Sequence, residues 1–136
     1  MEERQDFDFI PETCRCKSRE NLDVLDQVIT LAVEVAREGR EGKKIGTIFT
    51  VFDADRVIAG SRCMILDPLA YHDPEKKRIT DPDMRETVKE LAQLDGAFVI
   101  DDRGVVLSAC RYLDVTVEDV ALPLGLGSRH MAAASV

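Results

Sequence analysis

Apolar residues recur at every third or fourth position between Asn21 and Gly39, which is the spacing of one stripe on an amphipathic helix. Glycine commonly follows the last residue of a helix, and Arg37 lies where the helix dipole is negative. Such a helix must bury its stripe against another element, so a sheet or further helices must lie beside it. The stripe consists of Leu22, Leu25, Val28, Ile29, Ala32, Val33 and Ala36.

The next segments favour strands and turns. Residues 43–52 are rich in β-branched and aromatic side chains and predict a strand in the centre of a sheet. Residues 53–55 predict a turn, and residues 56–59 predict a second short strand. Prolines interrupt any regular element between residues 60 and 80, and the charged run from Pro74 is expected to be a solvated loop.

A second helix is indicated from Asp81, which can cap it, and Pro82, which suits the first helical position. It should end by Asp95-Gly96. Residues 97–100 and 105–110 then predict a hairpin of two strands. Helices interleaved with strands predict a single α/β domain with a mixed β-sheet flanked by helices. We expect an N-terminal arm over residues 1–18 and the folded domain over residues 19–136.

Charge and composition exclude several functions. The 136 residues carry 18 Lys and Arg against 26 Asp and Glu, a net charge of −8 that repels nucleic acid polymers and anionic membranes. We find no stretch long enough to span a membrane and no signal peptide, and therefore expect a cytoplasmic protein with reduced thiols. A metal clip at Cys14 and Cys16 stays open as an alternative, although no second pair has ligand spacing.

A glycine-rich stretch near the C-terminus is the clearest candidate for an anion site. Glycines allow close approach of a ligand, a serine can cap a helix start, and the following Arg and His add donors for a phosphate or a metal. A plain loop with surface side chains explains the pattern equally well. The stretch reads Gly125, Leu126, Gly127, Ser128, Arg129, His130.

Two further features lie in the middle of the chain. Asp95-Gly96-Ala97 puts a carboxylate between a helix and a strand, where it can hold a divalent cation or accept a proton from a hydroxyl. A turn aspartate followed by a helix-ending glycine is the simpler interpretation. Tyr112 could stack on a planar ring or be an ordinary half-buried tyrosine.

Taken together, these motifs resemble the diadenylate cyclase (DAC) family, which carries Asp-Gly-Ala and, downstream, Gly-Thr-Arg-His-Arg. Here they read Asp95-Gly96-Ala97 and Gly127-Ser128-Arg129-His130-Met131. The strand at residues 45–48 and the segment at residues 110–113 are also similar to family segments.

The resemblance implies synthesis of cyclic di-AMP from two ATP with release of two pyrophosphates, at facing active sites of a homo-oligomer. It implies catalytic roles for Asp95, Arg129 and His130, with Asp95 and His130 also binding a divalent cation, Mn²⁺ or Mg²⁺. The substrate-binding residues would be Leu94, Gly96, Ala97, Tyr112, Gly125, Leu126, Gly127 and Ser128.

Two departures from the family pattern leave alternatives open. Met131 replaces the family's third basic residue, and the chain stops before the family's Ser-Glu-Glu-x-Gly turn, as if truncated. One alternative is a module that binds ATP or another adenine nucleotide in a regulatory or inactive role. The other is an interaction domain in which the glycine-rich stretch is only a loop.

Overall fold

The computed structural model describes residues 18–114. Three α-helices are present there: α1 (Arg19–Glu38), α2 (Ala54–Ala59) and α3 (Pro82–Leu91). A short 3₁₀ helix covers Pro74–Lys76. The strands are β1 (Ile48–Val51), β2 (Ser61–Cys63), β3 (Ala97–Ile100) and β4 (Val106–Leu113).

The four strands form one mixed sheet in the order β1-β3-β4-β2. β1 runs parallel to β3, with Ile48 opposite Ala97, whereas β4 is antiparallel to both β3 and β2. The predicted α/β domain with a mixed sheet is therefore confirmed. β1 is shorter than predicted, and within residues 18–114 it lies at an edge of the sheet, where it pairs only with β3.

The two long helices are confirmed, although α1 begins at Arg19, two residues before the predicted start, and α3 ends at Leu91. The Ser18 side chain accepts a hydrogen bond from the Asn21 N–H at 3.2 Å, and Gly39 takes a φ of 58° just after α1. At the start of α3, Asp81 accepts from the Asp83 N–H at 2.9 Å. Both helices are thus positioned by local sequence, and packing then fixes them on the sheet.

The sheet separates two groups of buried side chains, because successive residues of a strand point to opposite faces. Along β3, Phe98 and Ile100 join the larger group with residues of α1 and α3. Ala97 and Val99 join the smaller group with Ala54 and Val57 of α2. The start of β3 at Ala97 is therefore packed against α2 on one face of the sheet and against α1 and α3 on the other.

Three predictions between the long helices are wrong. Residues 54–55, predicted as part of a turn, and residues 56–59, predicted as a strand, belong to helix α2, and the short strand follows it at Ser61–Cys63. Ala54 and Val57 are three residues apart, so both are buried on the same side of the helix. The four residues 56–59, taken alone, are too few to show this helical spacing. The run from Pro74 is not simply solvated, since Lys77 is buried and its Nζ donates to the Leu69 carbonyl at 3.1 Å.

None of the helices described between residues 18 and 114 is long and apolar enough to cross a membrane.

Candidate active site

Asp95 and Gly96 form the connection between α3 and β3. Asp95 is exposed, and its Oδ1 accepts a hydrogen bond from the Gly96 N–H at 2.9 Å. Gly96 has a φ of +113°, which a residue with a Cβ rarely adopts. The glycine lets the chain turn sharply into β3 and leaves the carboxylate at the end of the sheet.

Gly96 also lies directly against the backbone of β4. A Cβ at this position would stand 2.6 Å from the Cα and the carbonyl carbon of Cys110 and 2.9 Å from the Arg111 nitrogen. No side chain fits at this position. Glycine therefore allows the Asp95 turn to pack directly against the backbone of β4. Cys110 itself has a φ of 57°, within the irregular pairing of β3 with β4.

Ala97 follows as the first residue of β3 and is buried. It lies opposite Ile48 of β1 and Arg111 of β4. Residues directly opposite each other across a sheet project to the same face. The Ala97 methyl and the Arg111 side chain therefore occupy one face, which is also the face of α2.

Tyr112 lies inside β4, rather than after the hairpin strand as predicted. It is 40% exposed, and the guanidinium carbon of Arg62 on β2 lies 5.4 Å from its ring centroid. Alternation along β4 puts Tyr112 on the face opposite to Arg111 and Ala97. Tyr112 thus shares the end of the sheet with Asp95, but not the face of Ala97.

Leu94 lies in the same connection as Asp95 and is 43% exposed. It therefore adds an apolar surface immediately before the carboxylate. The structure brings Leu94, Asp95, Gly96 and Ala97 together in one turn at the start of β3.

A polar network beside this turn was not predicted. The Asp67 carboxylate accepts hydrogen bonds from the Leu69 N–H at 2.9 Å, from the Ala109 N–H at 3.3 Å and from the Ser108 hydroxyl. Ser108 in turn accepts from Arg111 Nε at 2.8 Å. In the sequence, the one sign of this network is Ser108, a polar residue among apolar neighbours in a strand. Its partner Asp67 is distant in the chain, so the sequence alone does not pair them.

The two described cysteines are not joined in a disulfide and differ in their surroundings. Cys63 is exposed, whereas Cys110 is buried. Burial raises the pKa of the Cys110 thiol, and the nearby Asp67 and Cys63 raise it further. Cys110 therefore serves as an apolar packing residue behind Gly96 at neutral pH.

Comparisons with known proteins identify the family of the chain. The family model described as "DisA bacterial checkpoint controller nucleotide-binding" (DAC) matches residues 34–136. The chain belongs to the DAC family. The match includes the Asp95 turn and every described strand.

Two curated relatives are similar to this DAC family member over most of the 136 residues. A protein of Methanocaldococcus jannaschii named diadenylate cyclase is 47% identical over 112 residues, which cover 82% of this chain and 35% of the relative. A protein of Haloferax volcanii with the same name is 40% identical over 121 residues, 88% of this chain and 43% of the relative. The chain thus spans less than half the length of these relatives. No solved structure gives a significant match.

Part of the predicted DAC site lies outside the described residues. These positions are Gly125, Leu126, Gly127, Ser128, Arg129 and His130. Cys14, Cys16 and Met131 lie outside them as well. Their assigned roles therefore stay predictions.

The described residues can supply only part of a metal site. Between residues 18 and 114, no group of three or more His, Cys, Asp or Glu side chains is placed to hold an ion. Asp95 offers an exposed carboxylate, the hard oxygen donor that Mg²⁺ and Mn²⁺ prefer. Mg²⁺ is commonly bound by one or two carboxylates together with substrate phosphates, and Asp95 fits that arrangement.

Proposed function

We propose that this chain is a diadenylate cyclase domain that condenses two ATP molecules into cyclic di-AMP. The observation that carries the proposal is the Asp95 turn, in which Gly96 is packed against β4 and Asp95 stays exposed at the end of the sheet. Membership of the DAC family and the names of the two relatives support the same activity.

In the proposed reaction, the 3′-oxygen of each ATP forms a bond to the α-phosphorus of the other. The bond from that phosphorus to the pyrophosphate oxygen breaks, and two pyrophosphates leave. Asp95 lies beside the 3′-hydroxyl and accepts its proton or passes it to solvent. A bound divalent cation, Mn²⁺ or Mg²⁺, supplies charge stabilisation for the phosphates.

Substrate contacts divide between the two parts of the site. Leu94 and Tyr112 provide apolar surface for the adenine, while Gly96 and Ala97 keep side chains out of the space next to Asp95. We assign Gly125, Leu126, Gly127, Ser128, Arg129 and His130 to the phosphates, with His130 also near the metal. Positioning and charge stabilisation account for most of the catalysis in phosphoryl-type transfer.

The product requires two nucleotides held face to face, so we propose a homo-oligomer in which two sites meet. A second candidate function is binding of an adenine nucleotide without turnover, and Met131 favours it because it replaces a basic residue of the family motif.

One experiment separates the two functions. The 136-residue chain is incubated with ATP and Mn²⁺, and products are identified by mass spectrometry. Cyclic di-AMP with pyrophosphate release supports the cyclase. ATP binding in calorimetry without any product supports the binding module, and absence of adenine-nucleotide binding contradicts both.

A further inference from the structure

Arg111 differs from the other partly buried cations near the helices. Arg85 pairs with Glu34 at 2.8 Å, and Lys89 pairs with Glu34 at 3.2 Å. The described partner of Arg111 is instead the neutral hydroxyl of Ser108, which accepts from Nε. Within residues 18–114, no carboxylate forms an ion pair with Arg111.

The two terminal nitrogens of Arg111 remain available. No hydrogen bond or ion pair with another residue of the range 18–114 uses either nitrogen, and neither is among the buried polar atoms that lack a partner there, so each is open to water or to a ligand. Nε is used by Ser108, which is itself fixed by Asp67. The guanidinium is therefore oriented by the protein while its paired Nη donors are left for another acceptor.

The position of Arg111 connects it to the Asp95 turn. Its register partner is Ala97, two residues after Asp95, and its backbone nitrogen lies 2.9 Å from where a Cβ of Gly96 would stand. Arg111 Nε donates to Ser108, whose register partner is Val99, so the side chain extends along β4 from the level of Ala97 toward that of Val99.

We infer that Arg111 binds phosphate oxygens of the nucleotide, with Ser108 and Asp67 fixing its orientation. The inference rests on the proposed function and adds a phosphate-binding residue from β4. An oriented guanidinium suits phosphate because two N–H groups can donate to two oxygens at once. On a chain with a net charge of −8, such a cation also offsets the repulsion that a polyphosphate meets.

The test compares binding of ATP with binding of adenosine, which lacks phosphates, by calorimetry on the 136-residue chain. We expect Arg111→Met to weaken ATP binding by about ten- to a hundredfold and to change adenosine binding less than twofold. Arg111→Lys should lose less, since it keeps the charge without the planar pair of donors. Arg103→Met is the matched control, because Arg103 is exposed in the hairpin at the other end of β3.

The outcomes are distinct. If the wild-type chain binds ATP and Arg111→Met binds it equally well, the inference is wrong and the proposed function stands. Equal losses for ATP and adenosine, or a loss in Arg103→Met as large as in Arg111→Met, also overturn it. If the wild-type chain binds no ATP, both the inference and the proposed function fail. Should Arg111→Met not fold by circular dichroism, Arg111→Lys decides by the same comparison.

Discussion

The Cβ position of Gly96 lies 2.6 Å from the Cα of Cys110, closer than any real Cβ contact. This contact joins the Asp95 turn to the irregular part of β4, where Cys110 has a positive φ. A change at either residue would therefore shift the carboxylate relative to the strand that carries Arg111 and Tyr112.

Gly96→Ala should destabilise the protein and abolish the proposed synthesis of cyclic di-AMP. The new methyl meets backbone atoms that cannot move aside, and a φ of +113° adds strain. We expect a loss of about 1–3 kcal/mol in the free energy of unfolding, measured in urea. Gly42→Ala is the control, because Gly42 also has a positive φ but nothing within 4 Å of its Cβ position. Equal losses in the two variants would contradict the close contact as the cause.

Asp95→Asn should remove cyclic di-AMP synthesis and leave the fold intact. The amide oxygen can still accept from the Gly96 N–H, whereas the negative charge and the proton acceptor are lost. We expect a change in unfolding free energy within about 0.5 kcal/mol, as for most surface substitutions. Asp102→Asn, at an exposed position in the β3–β4 hairpin, should keep full activity. Wild-type turnover by Asp95→Asn would exclude the assigned role.

The helices and the hairpin could be predicted because their signals are local. Gly39, Asp81 and Pro82 mark helix ends within a turn of the residues that they affect. Helix α2 was missed because six residues give less than two turns of periodicity, and its identity depends on packing against the sheet.

The site divides in the same way. An Asp-Gly pair between a helix and a strand is visible in the sequence, and so is the exposed carboxylate that follows from it. The contact between Gly96 and Cys110 and the network of Asp67, Ser108 and Arg111 join positions far apart in the chain. They depend on strand register and irregular pairing, which local patterns do not encode.

The ion pairs of Lys89 join α3 to α1. Burial alone would raise the pKa of Glu34, but hydrogen bonds from Lys89 and Arg85 outweigh it, so the pKa lies below its ordinary value. Burial alone would lower the pKa of Lys89, but Glu34, Glu86 and Glu38 raise it above its ordinary value. The stability from Glu34 is therefore present above its unfolded pKa of about 4.3 and lost as the pH falls through its folded pKa. The stability contributed by Lys89 is present below its unfolded pKa of about 10.4 and is lost as the pH rises through the folded pKa of Lys89.

Lys89→Met should lower the free energy of unfolding by about 1–2 kcal/mol at pH 7, because the ion pairs of Lys89 are lost. The loss stays in this range because the carboxylates left behind are partly solvated. The difference from wild type should shrink as the pH is lowered from 7 to about 2, because this range passes through the pKa of Glu34, which lies below its ordinary value. Urea unfolding at both pH values measures it, with exposed Lys76→Met as the control. A difference that is the same at both pH values would mean that Lys89 contributes by packing alone.

The two described thiols should differ in reactivity. Cys63 is exposed, whereas burial and the neighbouring Asp67 and Cys63 raise the pKa of Cys110 and keep it as a thiol. Brief treatment with iodoacetamide at pH 8, followed by peptide mass spectrometry, should label Cys63 at least about tenfold faster, because only the thiolate reacts. Unfolding in urea should equalise the two rates. Equal labelling in the folded protein would contradict the burial of Cys110.

Synthesis of cyclic di-AMP should depend on protein concentration. Each 3′-hydroxyl must lie beside the α-phosphate of the other ATP, so two sites have to face each other, and holding both reactants in line supplies much of the rate. A net charge of −8 on each copy opposes this pairing, and bound cations relieve it locally. We therefore expect a weak symmetric pair, favoured by ATP with Mn²⁺ or Mg²⁺, whose specific activity rises with concentration. Light scattering on the same samples gives the oligomeric state. Constant specific activity down to concentrations at which only monomers are present would show that one copy suffices and would contradict the proposed assembly.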